Sequence, residues 1–211
     1  MKTAVIGLGN VGSRLAARLA TGGETVIVSQ LDMAKARELA GKLEGRVEAL
    51  PVEQALAQAD VIVLAVWFGV MKELVARNRD TLVGKIVVDP SNPIGPNGKG
   101  GFERIIPADQ SSGAIIAGLL PPGAQLVKAF GTVAAESLGS GANRKPERAV
   151  LFYATDFPEA GRVVSRLITA SGFAPMSVGG IDQSIRIEAF GDLNQFKLGG
   201  LVSVKEAQAL I

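Results

Sequence analysis

"MKTAVIGLGNVGSRLAARLA", residues 1–20, is the stretch on which the fold turns. Thr3 to Leu8 form an apolar, strand-like run, and beyond Gly9 the residues Val11, Leu15 and Leu19 recur at helical spacing with Ala16 and Ala20 beside them. The period changes across GLGNVG, residues 7–12, where Gly7, Gly9 and Gly12 spell GxGxxG. Between a strand and a helix this pattern has a physical meaning. The first glycine allows a tight turn, the second lets backbone approach a pyrophosphate, and the third lets the helix pack closely on the strand. The helix start adds free N–H groups and the positive end of a dipole. Taken alone, three glycines are also what a plain turn uses, so the segments that follow decide.

Those segments alternate. Thr25–Ser29 reads as a second strand, and Ala36, Leu39, Ala40 and Leu43 line one face of a second helix with Lys35, Glu38 and Lys42 outward. A short strand at Arg46–Leu50, a short helix through Val52, Ala55, Leu56 and Ala59, and the run "DVIVLAV" from Asp60 come next. The last is apolar throughout, as a strand buried on both faces requires. A helix through Met71, Leu74 and Val75 leads to another buried strand, "KIVVD" from Lys85. Strand and helix in this order predict an α/β fold: a doubly wound, mainly parallel sheet with helices on both faces. Dinucleotide binding follows as the expected function of residues 7–12.

From Pro90 to Gly113 the periodicity lapses into a proline- and glycine-rich loop. "AQLVKAF" and "RAVLFYATD" then read as strands, Ala160, Val163, Val164, Leu167 and Ile168 as an amphipathic helix, and "APMSVG" as a last strand. The expected organisation is a nucleotide-binding domain over residues 1–143 and a small C-terminal lobe over 144–211.

Composition narrows the chemistry. With 22 Lys+Arg against 20 Asp+Glu, scattered rather than clustered, the chain lacks the electrostatic footprint of a nucleic-acid binder. It has no cysteine and no histidine, which removes thiolate metal sites and the commonest general base. No apolar segment reaches the ~18 residues of a membrane span, and the opening run lacks a secretory pattern. A cytoplasmic protein without membrane insertion is the expectation.

The choice between the two nicotinamide dinucleotides is made at the end of the second strand, where an acidic side chain bonds a free 2'-hydroxyl and repels a phosphate. Ser29 and Gln30 stand there, and neither is acidic. Asp32 lies past the strand end, where it reads as a helix N-cap. The neutral pair admits a phosphate, with Lys35 as a distant cation, so NADP is expected and NAD stays open.

In their order and spacing, GLGNVG, "DVIVLAV", "GKIVVDPSNP" and "LVKAFGTVAAESL" resemble the F420-dependent NADP oxidoreductase family over nearly the whole chain. The resemblance implies a Rossmann-type domain with a small C-terminal lobe, commonly a homodimer. It implies hydride transfer between NADP and coenzyme F420, or a flavin where related domains serve membrane ferric reductases. By matched position, Gly7, Leu8, Gly9, Asn10, Val11 and Gly12 would hold the pyrophosphate, and Ser29 and Gln30 would face the adenosine ribose. Ala65, Val66 and Trp67 would border the nicotinamide ribose. Ser91, Asn92 and Pro93 would form the turn beside its ring, and Thr132, Val133 and Ala134 would line the second ring. Three features depart: Leu31 stands where the family has an arginine, Trp67 where it often has a proline, and the C-terminal "IRIEAFGDLNQFKLGG" from Ile185 differs from the family's archaeal pattern.

Direct transfer between stacked rings needs no nucleophile and no acid–base side chain, only two reacting carbons held about 3–3.5 Å apart in a dry pocket. A chain without His and Cys suits it. Hydroxyacid dehydrogenases and imine reductases share the opening motif but use a long helical second domain, which residues 144–211 do not resemble. A dinucleotide-binding redox sensor remains as a reading of another class. Other features carry two readings each. Trp67 and Phe68 suit a core edge or a stacking platform, and Asp192, Asn194 and Gln195 a ligand or a helix cap. Lys128 suits a catalytic amine or, by strand alternation, a side chain sent towards solvent, and "PNGKGG" a phosphate-binding loop by composition or, without a strand-to-helix context, a mobile loop.

Overall fold

A computed structural model describes residues 1–43 and 46–211. Its first half alternates as the periodicity requires: β1 (Lys2–Ile6), α1 (Asn10–Thr21), β2 (Thr25–Ser29), α2 (Met33–Lys42), β3 (Val47–Ala49), α3 (Val52–Gln58), β4 (Val61–Leu64), α4 (Phe68–Arg77), α5 (Arg79–Leu82) and β5 (Ile86–Asp89). There follow β6 (Ile94–Pro96), β7 (Phe102–Arg104), α6 (Ser112–Leu119), β8 (Gln125–Ala129), α7 (Ala135–Ser140), β9 (Val150–Ala154), α8 (Pro158–Ala170) and β10 (Ala174–Ser177). A 3-10 turn (Ile181–Gln183) and the short helices α9 (Ser184–Ile187), α10 (Gln195–Leu198) and α11 (Val204–Gln208) close the chain.

Eight strands form one sheet in the order β10-β9-β8-β5-β4-β1-β2-β3. All neighbours are parallel except β8 and β9. This is a Rossmann-type doubly wound sheet. Its core lies on both faces because strand side chains alternate. Val5 packs with Leu15, Leu19 and Val164 on the α1 and α8 side. Its neighbours Ala4 and Ile6 pack with Leu56, Phe68 and Met71 on the α3 and α4 side.

The strands beyond residue 143 continue this sheet rather than building another. Leu167, Ile168 and Phe173 share a core cluster with Leu15 and Leu19. The Arg166 guanidinium donates to both carboxylate oxygens of Glu24 at 2.6 and 2.9 Å. What stands outside the sheet is the run of short helices after β10, where Ile187, Leu193 and Ala207 pack on Val150 and Phe152.

The aperiodic loop from Pro90 to Gly113 holds an antiparallel hairpin, β6 with β7, and the start of α6. Three-residue strands are too short to show a period. The hairpin turn is closed by Asn97 Oδ1, which accepts from the amides of Lys99 and Gly101. Among the described residues no helix is long and apolar enough to cross a membrane.

Candidate functional site

The chain leaves β1 for β2 and β3 on one side, then returns to β4 on the other, so a crevice opens at the carboxyl ends of β1 and β4. The glycine loop lies in it. Gly7 has φ +90°, and its amide donates to Ser29 O at 2.8 Å. A Cβ on Gly7 would stand 2.5 Å from Ala65 O, and one on Gly12 would stand 1.8 Å from Gly7 O. A Cβ on Gly9 would meet nothing within 4 Å. The loop is therefore closed where strand and helix must touch and open at the one glycine that faces outward. Gly9 is the N-cap of α1, with no side chain capping it and no acidic residue in the first turn. These features fit a dinucleotide pyrophosphate, met by backbone N–H groups and the helix dipole.

At the end of β2, Ser29 is fully enclosed and its hydroxyl has no partner, while Gln30 is half-buried and donates from Nε2 to Asp32 O at 3.3 Å. Asp32 caps α2, its Oδ1 accepting from the amides of Ala34 and Lys35. The carboxylate is thus committed to the helix. Leu31 is 99 % exposed and free of it.

Ala65 and Val66 follow β4 against the glycine loop. Trp67, the N-cap of α4, is 59 % exposed and meets Phe102 of the hairpin with ring centroids 6.0 Å apart. Phe68 beside it is buried in the core. Of the pair, Phe68 alone fits the core reading.

A second group of residues gathers at the ends of β5 and β8. Asn92 Nδ2 donates to Gly131 O at 3.0 Å, and its Oδ1 accepts from Ala189 N at 2.6 Å. Both ends of the carboxamide are occupied. Gln195 reaches the next stretch: its amide donates to Thr132 O, and its Oε1 accepts from Ala134 N, both at 2.9 Å. Thr132 is buried with Oγ1 unpartnered, as is Ser91 Oγ. Thr132, Val133, Leu193 and Gln195 are among the residues that line a small cavity of about 10 Å³. The segment then enters α7, which lies on α1 through Arg14 and Glu136 at 3.9 Å and an Arg18 donation to Gly139 O.

Lys128 does not face solvent. It is 1 % exposed, and its three ammonium protons are all engaged, with Asp89 Oδ2 at 2.9 Å, Ser91 O at 2.5 Å and Ser112 Oγ at 2.7 Å. The Ser112 hydroxyl donates onward to Glu188 Oε1 at 2.9 Å. The Glu188 carboxylate also accepts from the amides of Ser112 and Gly113 at the start of α6. A signal for this was present: both strands are apolar runs buried on both faces, so a lysine in one and an aspartate ending the other must pair. Nothing in the sequence marked Glu188 as the third member.

The remaining polar candidates are accounted for locally. Asn194 caps α10 through Phe196 N. Asp192 binds Arg186 at 2.8 Å, and that hydrogen bond raises the guanidinium above its ordinary value. Among the described residues no cluster of acidic side chains could hold a metal ion.

Residues 2–93 match the family described as NADP oxidoreductase, coenzyme F420-dependent. The F420-dependent NADP reductase of Methanothermobacter thermautotrophicus is 31% identical over 199 residues, which cover 89% of this chain and 85% of the relative. The metalloreductase STEAP3 of Rattus norvegicus is 31% identical over 188 residues, and there the match spans only 36% of the relative's length. Among solved structures, the protein SMa0349 of Sinorhizobium meliloti superposes with a TM-score of 0.84 at 30% identity, covering 96% of this chain and 95% of that one.

Proposed function

The chain belongs to the F420-dependent NADP oxidoreductase family, and from that premise we propose that it moves a hydride directly between NADP(H) and a deazaflavin, coenzyme F420, or a flavin. One observation carries the direct route. The buried charged side chains among the described residues, Glu24, Asp89, Lys128 and Glu188, are all engaged by other groups of the chain, and no His or Cys exists to act in their stead. Such a site supplies position and dryness rather than protons.

The nicotinamide supplies the hydride when bound. The chain's part is to hold and orient. The 7–12 loop takes the pyrophosphate on backbone amides, and Gln30, with Ser29 enclosed behind it, meets the adenosine ribose. Ala65, Val66 and Trp67 border the nicotinamide side of the crevice. Ser91, Asn92 and Pro93 form the turn beside the nicotinamide ring, and Thr132, Val133 and Ala134 wall the acceptor side, with the helices after β10 closing it from behind. STEAP3 is named a metalloreductase, and acceptors other than F420, a flavin among them, are part of the proposal. A homodimer in the cytoplasm completes the reading.

Purified protein mixed with NADPH and oxidised F420 tests it through the visible deazaflavin absorbance, with FMN and NADH as parallel arms. Bleaching with F420 or reduction of FMN supports the transfer and names the acceptor. Nucleotide binding without either reaction would overturn it in favour of another acceptor or a dinucleotide-binding sensor.

A further inference from the structure

The geometry points to Glu188 and Lys128 as positioning residues that hold the turn beside the nicotinamide ring in register with the acceptor-side wall for hydride transfer, an inference that rests on the site reading above. The Ser91–Pro93 turn is gripped from several sides. Asp89 Oδ1 accepts from Ser91 N at 2.7 Å, and Lys128 Nζ donates to Ser91 O at 2.5 Å. The Asn92 carboxamide then joins the turn to Gly131 and Ala189. Glu188 immediately precedes Ala189, so the carboxylate anchored on Ser112 and Gly113 sets where that amide stands.

Backbone strain marks the same two contacts. Phe130 (φ 66°) adjoins Gly131, and Phe190 (φ 72°) adjoins Ala189; both are bulky residues in the left-handed region. Such conformations persist only where surrounding contacts over-determine them. Here the two partners of Asn92 each neighbour one. The cluster is also directional in a way that packed apolar side chains are not: each ammonium proton has a fixed acceptor, and three bonds orient the carboxylate. Loss of the Glu188 charge would leave nucleotide binding on the glycine loop intact while the turn and the 130–134 wall lose their alignment.

Glu188→Gln tests this, with Glu206→Gln in the last helix as a control in the same terminal region. Three quantities are read: kcat and KM for NADPH with F420 or FMN, the deuterium isotope effect with NADPH labelled at nicotinamide C4, and amide exchange at Ser112, Gly113 and Ala189. For Glu188→Gln, kcat falls about 10- to 100-fold with a larger isotope effect. KM for NADPH stays within about twofold, and the three amides exchange about tenfold faster. The control moves none of these. Parental kcat and isotope effect despite faster exchange would reduce the cluster to structural support and overturn the inference. A fall in kcat with the amides still protected would overturn it too.

Should the parent protein reduce neither acceptor, the functional reading fails separately. The emission of bound NADPH then decides positioning: a shifted emission in Glu188→Gln supports it, and an unchanged one overturns it. If Glu188→Gln does not accumulate as folded protein, Ser112→Ala removes the hydroxyl between the two charges while keeping both, and carries the same expectations.

Discussion

A Cβ placed on Gly12 would stand 1.8 Å from the carbonyl oxygen of Gly7, whereas one placed on Gly9 would stand in open space. The fold therefore closes the position of Gly12 to a side chain, while Gly9 borders the space proposed for the pyrophosphate. Gly12→Ala forces β1 and α1 apart and should cost at least the ~1–3 kcal/mol of an overpacked core, read from the denaturant midpoint. Gly9→Ala, at φ −73°, should leave stability within ~0.5 kcal/mol and weaken NADPH by about tenfold or more in a binding titration. Equal losses of stability in both would contradict the division.

Leu31 tests nucleotide choice. It follows the strand whose end is proposed to face the ribose, is 99 % exposed, and offers no cation to a 2'-phosphate. Leu31→Arg should raise the NADPH to NADH ratio of kcat/KM by about tenfold, which is ~1.4 kcal/mol and within the worth of one charge-assisted contact. An unchanged ratio would mean that the phosphate lies elsewhere.

Much of this was legible in the sequence where a period could show itself. The strands from Thr3, Thr25, Asp60 and Lys85 are apolar runs, and the helices between them carry a clear stripe, so the alternation of strand and helix in the first half follows from them. Asp32 is a cap in structure as in sequence, because its place after the strand leaves two helix amides to satisfy. The hairpin after Pro93 and the helix at Ala135 were not legible, being too short for periodicity. Lys128 was misread because strand alternation assumes one wet face, and β8 lies between β5 and β9 with helices over the sheet. Glu188 could not be read because its partners come together only when the terminal segment folds back on α6.

The Glu24–Arg166 pair joins the turn after α1 to α8 and so links the two halves of the sheet. Glu24 is nearly enclosed and receives two bonds from one guanidinium. Arg166→Ala strands a buried carboxylate and should cost ~1–3 kcal/mol in equilibrium unfolding. Adding Glu24→Gln to it should recover part of that loss. No recovery would show that the arginine acts through packing of its stem instead.

Acid should loosen the last helix through Glu206. The Ser203 amide and hydroxyl hold this carboxylate in a capping box and lower its pKa below the ordinary glutamate value. A group whose folded pKa is depressed stabilises above its unfolded value and loses that contribution as pH falls through the folded one. Exchange at the amides of Ser203 and Glu206 should therefore speed up below the ordinary carboxylate range, after correction for intrinsic rates. Glu206→Gln should flatten that dependence.

Trp67 offers the most direct view of the crevice, since it is the chain's single tryptophan and stands exposed beside Ala65 and Val66, which touch the glycine loop. Its emission should report ring by ring what arrives. Quenching on NADPH alone would place the indole against the nicotinamide side, and quenching only on adding FMN or F420 would place it against the acceptor. Phe102→Ala removes the ring 6.0 Å away and should weaken whichever ligand quenches, by about 0.5–1.5 kcal/mol for one lost aromatic contact. An indole that answers to neither ligand would leave Trp67 as a surface partner of the hairpin and nothing more.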